Sequence, residues 1–287
     1  MRPFAYLEPA TLTEAVAMLA QHQGQAHLLA GGTDLLVEIK EQVRRPETVI
    51  NLKKIAGLDQ LQFDPAGGLR LGALVTARQV ETSPVVQRHY AGLAQDVREL
   101  GSMQIRNRAT VAGNICRASP SADTPPPLIA AGARLRLVGP AGAREVLLES
   151  FFSGPGQTVL APGEIVTEIV VPAPPPHTAQ VYLKHGRRRA MELATVGVAV
   201  WLTMAGEVCQ TVRLVLGAVA PTPLRVQAAE AVLTGHPLTD ALIAQAADIA
   251  MQTARPIDDV RASAAYRREM VGVLTRRAMR QAVEEAS

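Results

Sequence analysis

Apolar positions along the chain change their spacing several times, and each change marks an element. Behind a capping sequence from Thr11 to Glu14, Ala15, Met18 and Leu19 recur at helical spacing, and Gly24 ends the pattern. The apolar run at 27–30 reads as a buried strand, with Gly31 and Gly32 as its turn. Thr33 or Asp34 then caps a short helix carrying Leu35, Leu36 and Ile39. Beyond Pro46, TVINL at 48–52 is another strand, so a small βαβ unit is predicted at the N-terminus.

After Lys53 and Lys54 the pattern changes to a hairpin, in which LQF at 61–63 and LRL at 69–71 flank DPAGG at 64–68. Thr76 caps the helix that follows. Pro84 fits the first turn of the next, which the pattern carries past Tyr90 to Leu100 before Gly101 stops it. RLRLV at 134–138 and VLL at 146–148 read as strands around GPAG, residues 164–171 form another, and the prolines of 172–176 mark a boundary. Past them, 180–184, 193–204 and 211–219 read as strands, and 224–233, 238–253 and 262–285 as helices. Strands followed by segregated helices predict an α+β fold. The imperfect alternation of Leu193, Val196, Val198, Val200 and Leu202 predicts a strand covered on one face by those helices.

Composition narrows the function classes. At 287 residues with 48% hydrophobic content, the chain can bury a real core as one large domain or two to three small ones. No apolar run approaches the ~20 residues that span a bilayer, and the first fifteen or so residues lack the apolar centre of a signal peptide. A soluble, cytoplasmic chain is therefore expected. Cys116 and Cys209 stand far apart without a C-x-x-C, so neither a protein-held zinc nor an iron–sulfur cluster is expected. A pI near 9.1 with a net charge of +3 makes nucleic acid worth testing. The four Tyr and four Phe are scattered, however, and form no basic-aromatic surface. An anionic protein partner or cofactor explains the charge balance equally well.

Two stretches carry the candidate chemistry, 28–40 and 105–133. Gly31 and Gly32 in the first, with Ala109, Ala112, Gly113, Ala118 and Ser119 in the second, leave main-chain N–H groups unobstructed. A strand-to-helix turn aims such groups at an anion, so two such loops could hold two phosphates. The glycine pair alone fits an ordinary turn and matches neither G-x-G-x-x-G nor a P-loop. The second stretch adds RATVAGN at 108–114, then Ser119, Ser121 and Asp123, without forming a regular element. Its hydroxyls, amide and carboxylate suit phosphate and ribose, although Asp123 also reads as a helix cap before Pro125. No acid–base pair emerges, and His27 and His185 read as structural. Lys184 alone reads as a surface lysine, and 187–189 as a solvated arginine run or a face toward a cofactor or partner subunit.

AGGTDLL at 30–36 and IRNRATVAGNICRASPSADTPP at 105–126 resemble the two flavin signatures of the FAD-binding middle subunit of molybdenum hydroxylases. Xanthine dehydrogenases, carbon monoxide dehydrogenases and hydroxybenzoyl-CoA reductases carry this subunit or its fused equivalent. YLKHGRRRAMELA at 182–194 is similar to the start of the family's C-terminal domain, so the resemblance spans nearly the whole chain. It implies two FAD-binding subdomains, 1–54 and 55–176, of the PCMH/vanillyl-alcohol-oxidase type. A C-terminal domain, 177–287, would then hold a three-stranded sheet with a helical bundle.

The resemblance also implies roles. Residues 30–34 (Ala30, Gly31, Gly32, Thr33, Asp34) would meet the FAD pyrophosphate through N–H groups, with the Thr33 hydroxyl as an added donor. Thr110, Gly113 and Asn114 would form the opposing phosphate loop, and Ser119 and Asp123 would serve phosphate and ribose. Ile165 and Leu193 would pack near the flavin or adenine rings, and Lys184 beside the isoalloxazine. Leu29, Leu35, Arg106, Asn107, Ala112 and Ala118 complete the candidate set, and Cys116 is a packing residue or a flavin neighbour. Ala112 stands where many relatives have a second glycine, a tolerated narrowing, and two isolated cysteines exclude the subtype with an inserted iron–sulfur cluster.

The function implied is that of an electron-transfer subunit. A small partner with two [2Fe–2S] clusters and a large molybdopterin partner would complete a paired heterotrimer, with no nucleic acid and no membrane span. FAD would pass electrons to an external acceptor such as NAD⁺, oxygen or a quinone. The alternatives are a self-contained FAD oxidoreductase with its own substrate pocket, and a non-enzymatic basic scaffold.

Overall fold

The computed structural model of the chain describes residues 2–22, 24–188 and 190–286. Its first unit comprises β1 (Ala5–Leu7), α1 (Leu12–Gln21), β2 (Ala26–Leu29), α2 (Leu35–Lys40) and β3 (Thr48–Asn51). The strands form a parallel sheet of order β1-β3-β2. All four residues of central β3 are buried, as a β-branched run paired on both sides requires. Thr11 caps α1 by accepting the Glu14 N–H at 3.2 Å. The βαβ unit read from the sequence is present. Its extra strand β1 is too short and too exposed to show a pattern.

The second unit starts with the expected hairpin, β4 (Leu61–Asp64) and β5 (Gly68–Gly72). Helices α3 (Ala77–Thr82), α4 (Pro84–His89), α5 (Ala91–Glu99), α6 (Met103–Arg106), α7 (Val111–Arg117) and α8 (Pro125–Ala130) follow. Strands β6 (Arg134–Gly139) and β7 (Gly142–Leu147), the short pair β8 (Phe152–Gly154) and β9 (Gln157–Thr158), and β10 (Ile165–Val171) close it. The main sheet is antiparallel, of order β4-β5-β10-β6-β7.

Two sequence expectations are corrected in this unit. The single helix expected from Pro84 to Leu100 breaks at Tyr90, whose backbone leaves the helical region at φ −136° and ψ 54°. The Tyr90 ring is buried and its hydroxyl donates to Pro172 O at 3.0 Å, so burial of this side chain accompanies the break. The stretch after Thr110, expected to be irregular, is the helix α7. Thr110 caps it by accepting the Gly113 N–H at 3.0 Å, and Val111, Ala112 and Ile115 bury one side.

The third unit contains β11 (Thr178–His185), β12 (Val196–Ala205), β13 (Val208–Gly217), β14 (Leu224–Arg225), α9 (Gln227–Leu233), α10 (Asp240–Thr253) and α11 (Ala264–Ala286). Three long antiparallel strands form its sheet, and the two-residue β14 adds an edge where the sequence reads as the start of a helix. β12 is covered on both faces, not one. Val196, Val198, Val200 and Leu202 pack with α10 and α11, while Ala199 and Trp201 join Tyr90 and Leu128 in the core of the second unit. The face that the sequence leaves open is thus closed by α8. No helix among the described residues is long and apolar enough to cross a membrane.

Candidate functional site

The three units enclose a cavity of about 830 Å³, within the roughly 300–1,000 Å³ of small-molecule and cofactor sites. Two loops supply its opposite walls: the strand-to-helix turn between β2 and α2, and the segment from α6 through α7 to Asp123. Ala30, Gly31, Gly32, Thr33, Asp34 and Leu35 line it from the first. Thr110, Ala112, Gly113, Asn114, Ser119 and Asp123 line it from the second, with Ile165 of β10 and Leu193 beyond β11.

The loops touch. A Cβ on Gly31 would overlap the carbonyl oxygen of Arg108 and lie 3.0 Å from Ala109 Cα, so only glycine allows this approach. Gly32 sits at φ +79°, where other residues are strained, and accepts the Leu36 N–H at 3.1 Å to start α2. The N–H groups between Gly32 and Leu35 stand ahead of the helical ladder. The second loop differs from expectation. Its Gly113 N–H is taken by the Thr110 hydroxyl and its Asn114 N–H by Thr110 O at 3.0 Å. The Asn114 side-chain oxygen accepts from the Thr124 hydroxyl at 2.7 Å, which ties α7 to the start of α8.

Five candidates do not themselves line the cavity. Leu29 packs with Ile39 and Val49 beneath the glycine turn. Arg106 forks to Glu81 at 2.9 Å and donates to Arg98 O and Leu100 O, holding the turn that carries Leu100, Gly101 and Ile105 to the cavity. Burial pushes the Glu81 carboxyl up, but hydrogen bonds from Arg106 and Arg78 hold it below the ordinary range. Asn107 is exposed just after α6. Ala118, left-handed at φ 49°, ends α7 and turns the chain toward Ser119.

Lys184 is the fifth, and it is not a surface lysine. Its ammonium is buried, donating to Asp123 Oδ2 at 2.9 Å and to Glu99 O at 3.1 Å. Tyr182 donates to the other Asp123 oxygen at 3.0 Å. Lys184 therefore reaches the cavity through Asp123. Asp123 caps no helix, since Thr124 precedes α8 and no side-chain cap bond is made there. Burial raises the Asp123 carboxyl, against the opposing pull of the Lys184 charge.

Glu38, Arg44 and Arg117 on the wall carried no sequence signal. Glu38 on α2 accepts from Arg44 at 2.6 Å and from Arg117 on α7 at 2.8 Å, a bridge between the two loops. All three line the cavity. His27 lines it too, with Nδ1 buried and lacking a hydrogen-bond partner among the described residues. Burial lowers its pKa, as does the nearby Arg44, which keeps the imidazole neutral. Cys116 is exposed to the cavity.

Met191, Glu192 and Leu193 line the cavity from beyond β11, with Glu192 paired to Arg188 at 3.1 Å. Arg187 donates to Val260 O at 3.3 Å and so faces the C-terminal unit. Arg189, the end of the arginine run, lies outside the described residues. His185 bonds to the Tyr266 hydroxyl at 3.1 Å. Among the described residues no group of three His, Cys, Asp or Glu is placed to hold a metal. The arrangement suits an elongated ligand held by backbone and small side chains.

Residues 2–174 match the family described as the FAD binding domain in molybdopterin dehydrogenase, and residues 181–282 match the CO dehydrogenase flavoprotein C-terminal domain. The chain is 32% identical over 283 residues to the xanthine dehydrogenase FAD-binding subunit of Escherichia coli O157:H7, covering 98% of this chain and 97% of that one. It is 34% identical over 276 residues to the carbon monoxide dehydrogenase medium chain of Hydrogenophaga pseudoflava, covering 96% of each. A solved structure of carbon monoxide dehydrogenase from Hydrogenophaga pseudoflava, in a form lacking the Mo-pyranopterin moiety of the molybdenum cofactor, superposes with a TM-score of 0.96. Identity there is 35%, with 100% of both chains covered.

Proposed function

This chain belongs to the family of FAD-binding domains of molybdopterin dehydrogenases, and on that premise we propose that it is the FAD-binding electron-transfer subunit of a molybdenum-containing hydroxylase or dehydrogenase complex. The observation that carries the reading is the contact at Gly31, where two backbone loops approach as closely as a missing Cβ permits and face one cavity. Side chains are kept out of the place where an extended pyrophosphate needs N–H donors. The residues present therefore fit FAD.

Residues 30–35 would hold the pyrophosphate, with the Thr33 hydroxyl beside the glycine turn. Ser119 and the wall of α7 would face them. Ile165 and Leu193, both on the wall, would supply apolar surface for the rings. Arg106 and Ala118 set the second loop's shape, and Lys184 fixes the Asp123 carboxylate that borders the site. Bound FAD would supply the redox chemistry, exchanging single electrons with partner clusters and electron pairs with an external acceptor. The protein contributes binding, orientation and a neutral His27.

The partners are a small subunit with two [2Fe–2S] clusters and a large molybdopterin subunit, which holds the substrate, arranged as a paired heterotrimer in the cytoplasm. The division of the chain at 54 and 176 is supported by the separate sheets and by the proline run at 172–176.

The test is a visible absorption spectrum of the protein with whatever accompanies it, followed by release and chromatography of the chromophore. A flavin band yielding FAD, alongside iron–sulfur absorption from a co-purifying chain, is expected. No flavin after reconstitution with FAD overturns the reading. Substrate-driven bleaching of this chain alone would make it a self-contained FAD oxidoreductase.

A further inference from the structure

Helix α5 lies along β11 in a register fixed at both ends. Near its start, a Cβ on Gly92 would lie 2.9 Å from Gln180 O; at its end, Glu99 O accepts from Lys184 at 3.1 Å. Asp96 lies between them, about one helical turn from each. On the facing strand, the residue between Gln180 and Lys184 on the same side is Tyr182. Asp96 is therefore held over Tyr182, beside the Asp123–Lys184 pair.

Asp96 is fully buried, and neither carboxylate oxygen has a hydrogen-bond partner among the described residues. An ionised carboxylate in that position would be an uncompensated interior charge, which a protein avoids by keeping the proton. The local balance agrees. Two buried carboxylates, Asp96 and Asp123, face one ammonium, Lys184, and half-buried Glu99 adds further negative charge nearby. α8 packs on this region with no ionisable side chain. Glu81 of α3 is already paired with Arg78 and Arg106, while on α4 Arg88 is exposed and His89 stacks on Phe63. With Asp96 neutral, Asp123 and Lys184 balance each other. Burial first, then the Asp123 charge, pushes the Asp96 carboxyl well above the ordinary range, with Lys184 opposing.

We propose that Asp96 is a proton-holding site, occupied at neutral pH, and that Asp123 links its proton to the negative charge bound in the cavity. When Asp96 ionises, its proton passes to water and the cluster gains one negative charge. Because Asp123 of that cluster forms part of the cavity wall, an anionic ligand there binds more weakly. The linkage rests on the reading of the cavity as an FAD site, whereas the proton on Asp96 does not.

The experiment uses the full chain freed of flavin, as wild type and as Asp96→Asn, with Asp96→Leu as a second neutral replacement should the first not fold. Infrared spectroscopy at neutral pH should show a protonated-carboxyl C=O band in the wild type, shifted in D₂O and missing from the variant. FAD affinity, followed by fluorescence quenching, should fall by about tenfold or more in the wild type as that band titrates away, the repulsion between unit charges within about 12 Å of each other at an effective dielectric of about 20. The variant should show no fall over the same range. Absence of the band from the wild type, or its persistence in the variant, overturns the proton site; identical affinity profiles overturn the linkage. Failure of the wild type to bind FAD at any pH overturns the cavity reading, and the infrared band still decides the proton on Asp96.

Discussion

Replacing Gly31 with alanine adds one methyl group at the point where the two loops meet. It would stand 3.0 Å from Ala109 Cα and overlap the Arg108 carbonyl, against an ordinary carbon–carbon contact of about 3.5–4.0 Å. Both neighbours are backbone, so no rotamer change relieves the overlap and the loops must part by at least ~0.5 Å. Overpacking of this kind costs about 1–3 kcal/mol of stability. If parting removes one charge-assisted hydrogen bond to a pyrophosphate, about 1.5–3 kcal/mol of binding goes with it, or roughly tenfold to a hundredfold in affinity. Urea denaturation of the flavin-free chain measures the first effect, and equilibrium dialysis against FAD the second. A folded Gly31→Ala chain with wild-type FAD affinity would refute the placement of the pyrophosphate between these loops.

Lys184→Met removes the ammonium that pairs with the buried Asp123 at 2.9 Å and is expected to cost about 3–5 kcal/mol, read as a lower urea midpoint that recovers partly in acid. Asp259 gives a separate pH signature. Burial would raise its carboxyl, but the N–H groups of Arg261 and Ala262 and the Arg267 side chain hold it at about 2, against an ordinary 3.8. A depressed carboxyl stabilises the fold above its unfolded pKa and loses that contribution as pH falls through the folded value. The denaturation midpoint should therefore drop between about pH 4 and pH 2, and Asp259→Asn should flatten that drop. If FAD spans the loops, hydrogen exchange in β2 and α2 should slow when it binds, and exchange there that ignores FAD would count against the site.

The parts of the site that could be read in the sequence are those that local chemistry dictates. Gly31, Gly32 and the helix after them announce a strand, a turn and a helix within about a dozen residues. Thr11 and Thr76 mark caps by their own position and that of the residue three places on. Small residues and hydroxyls also marked the second loop as a phosphate and ribose candidate, but residue types alone suggested an irregular segment where the helix α7 stands. What stayed hidden depends on distant partners. Lys184 reads as a surface residue until β11 sets it against the end of α5 and Asp123. Glu38 and Arg117 are ordinary helix charges until the cavity brings them within 2.8 Å. β12 gives no sign that α8, whose sequence begins with three prolines, will cover its second face.

These long-range contacts also explain how the cavity keeps its shape. The first unit has little core beneath the glycine turn, where Leu29, Ile39 and Val49 form a small buried group. Ala15 and Leu52, with Val16, Leu19, Leu28 and Ala30, pack with Leu58, Leu74 and Ile165 from the second unit, so the loop of the first unit is positioned by neighbours as much as by itself. The Glu38–Arg117 bridge joins the first unit to α7, and the Lys184–Asp123 pair joins the third unit to the end of the same loop system. Each wall is thus anchored by an interaction that crosses a unit boundary. A ligand lying along the cavity would reinforce those joints, because it binds only when all the walls are in place. Ligand binding and the docking of the N-terminal unit are then thermodynamically linked, and the stability gained by one is shared by the other.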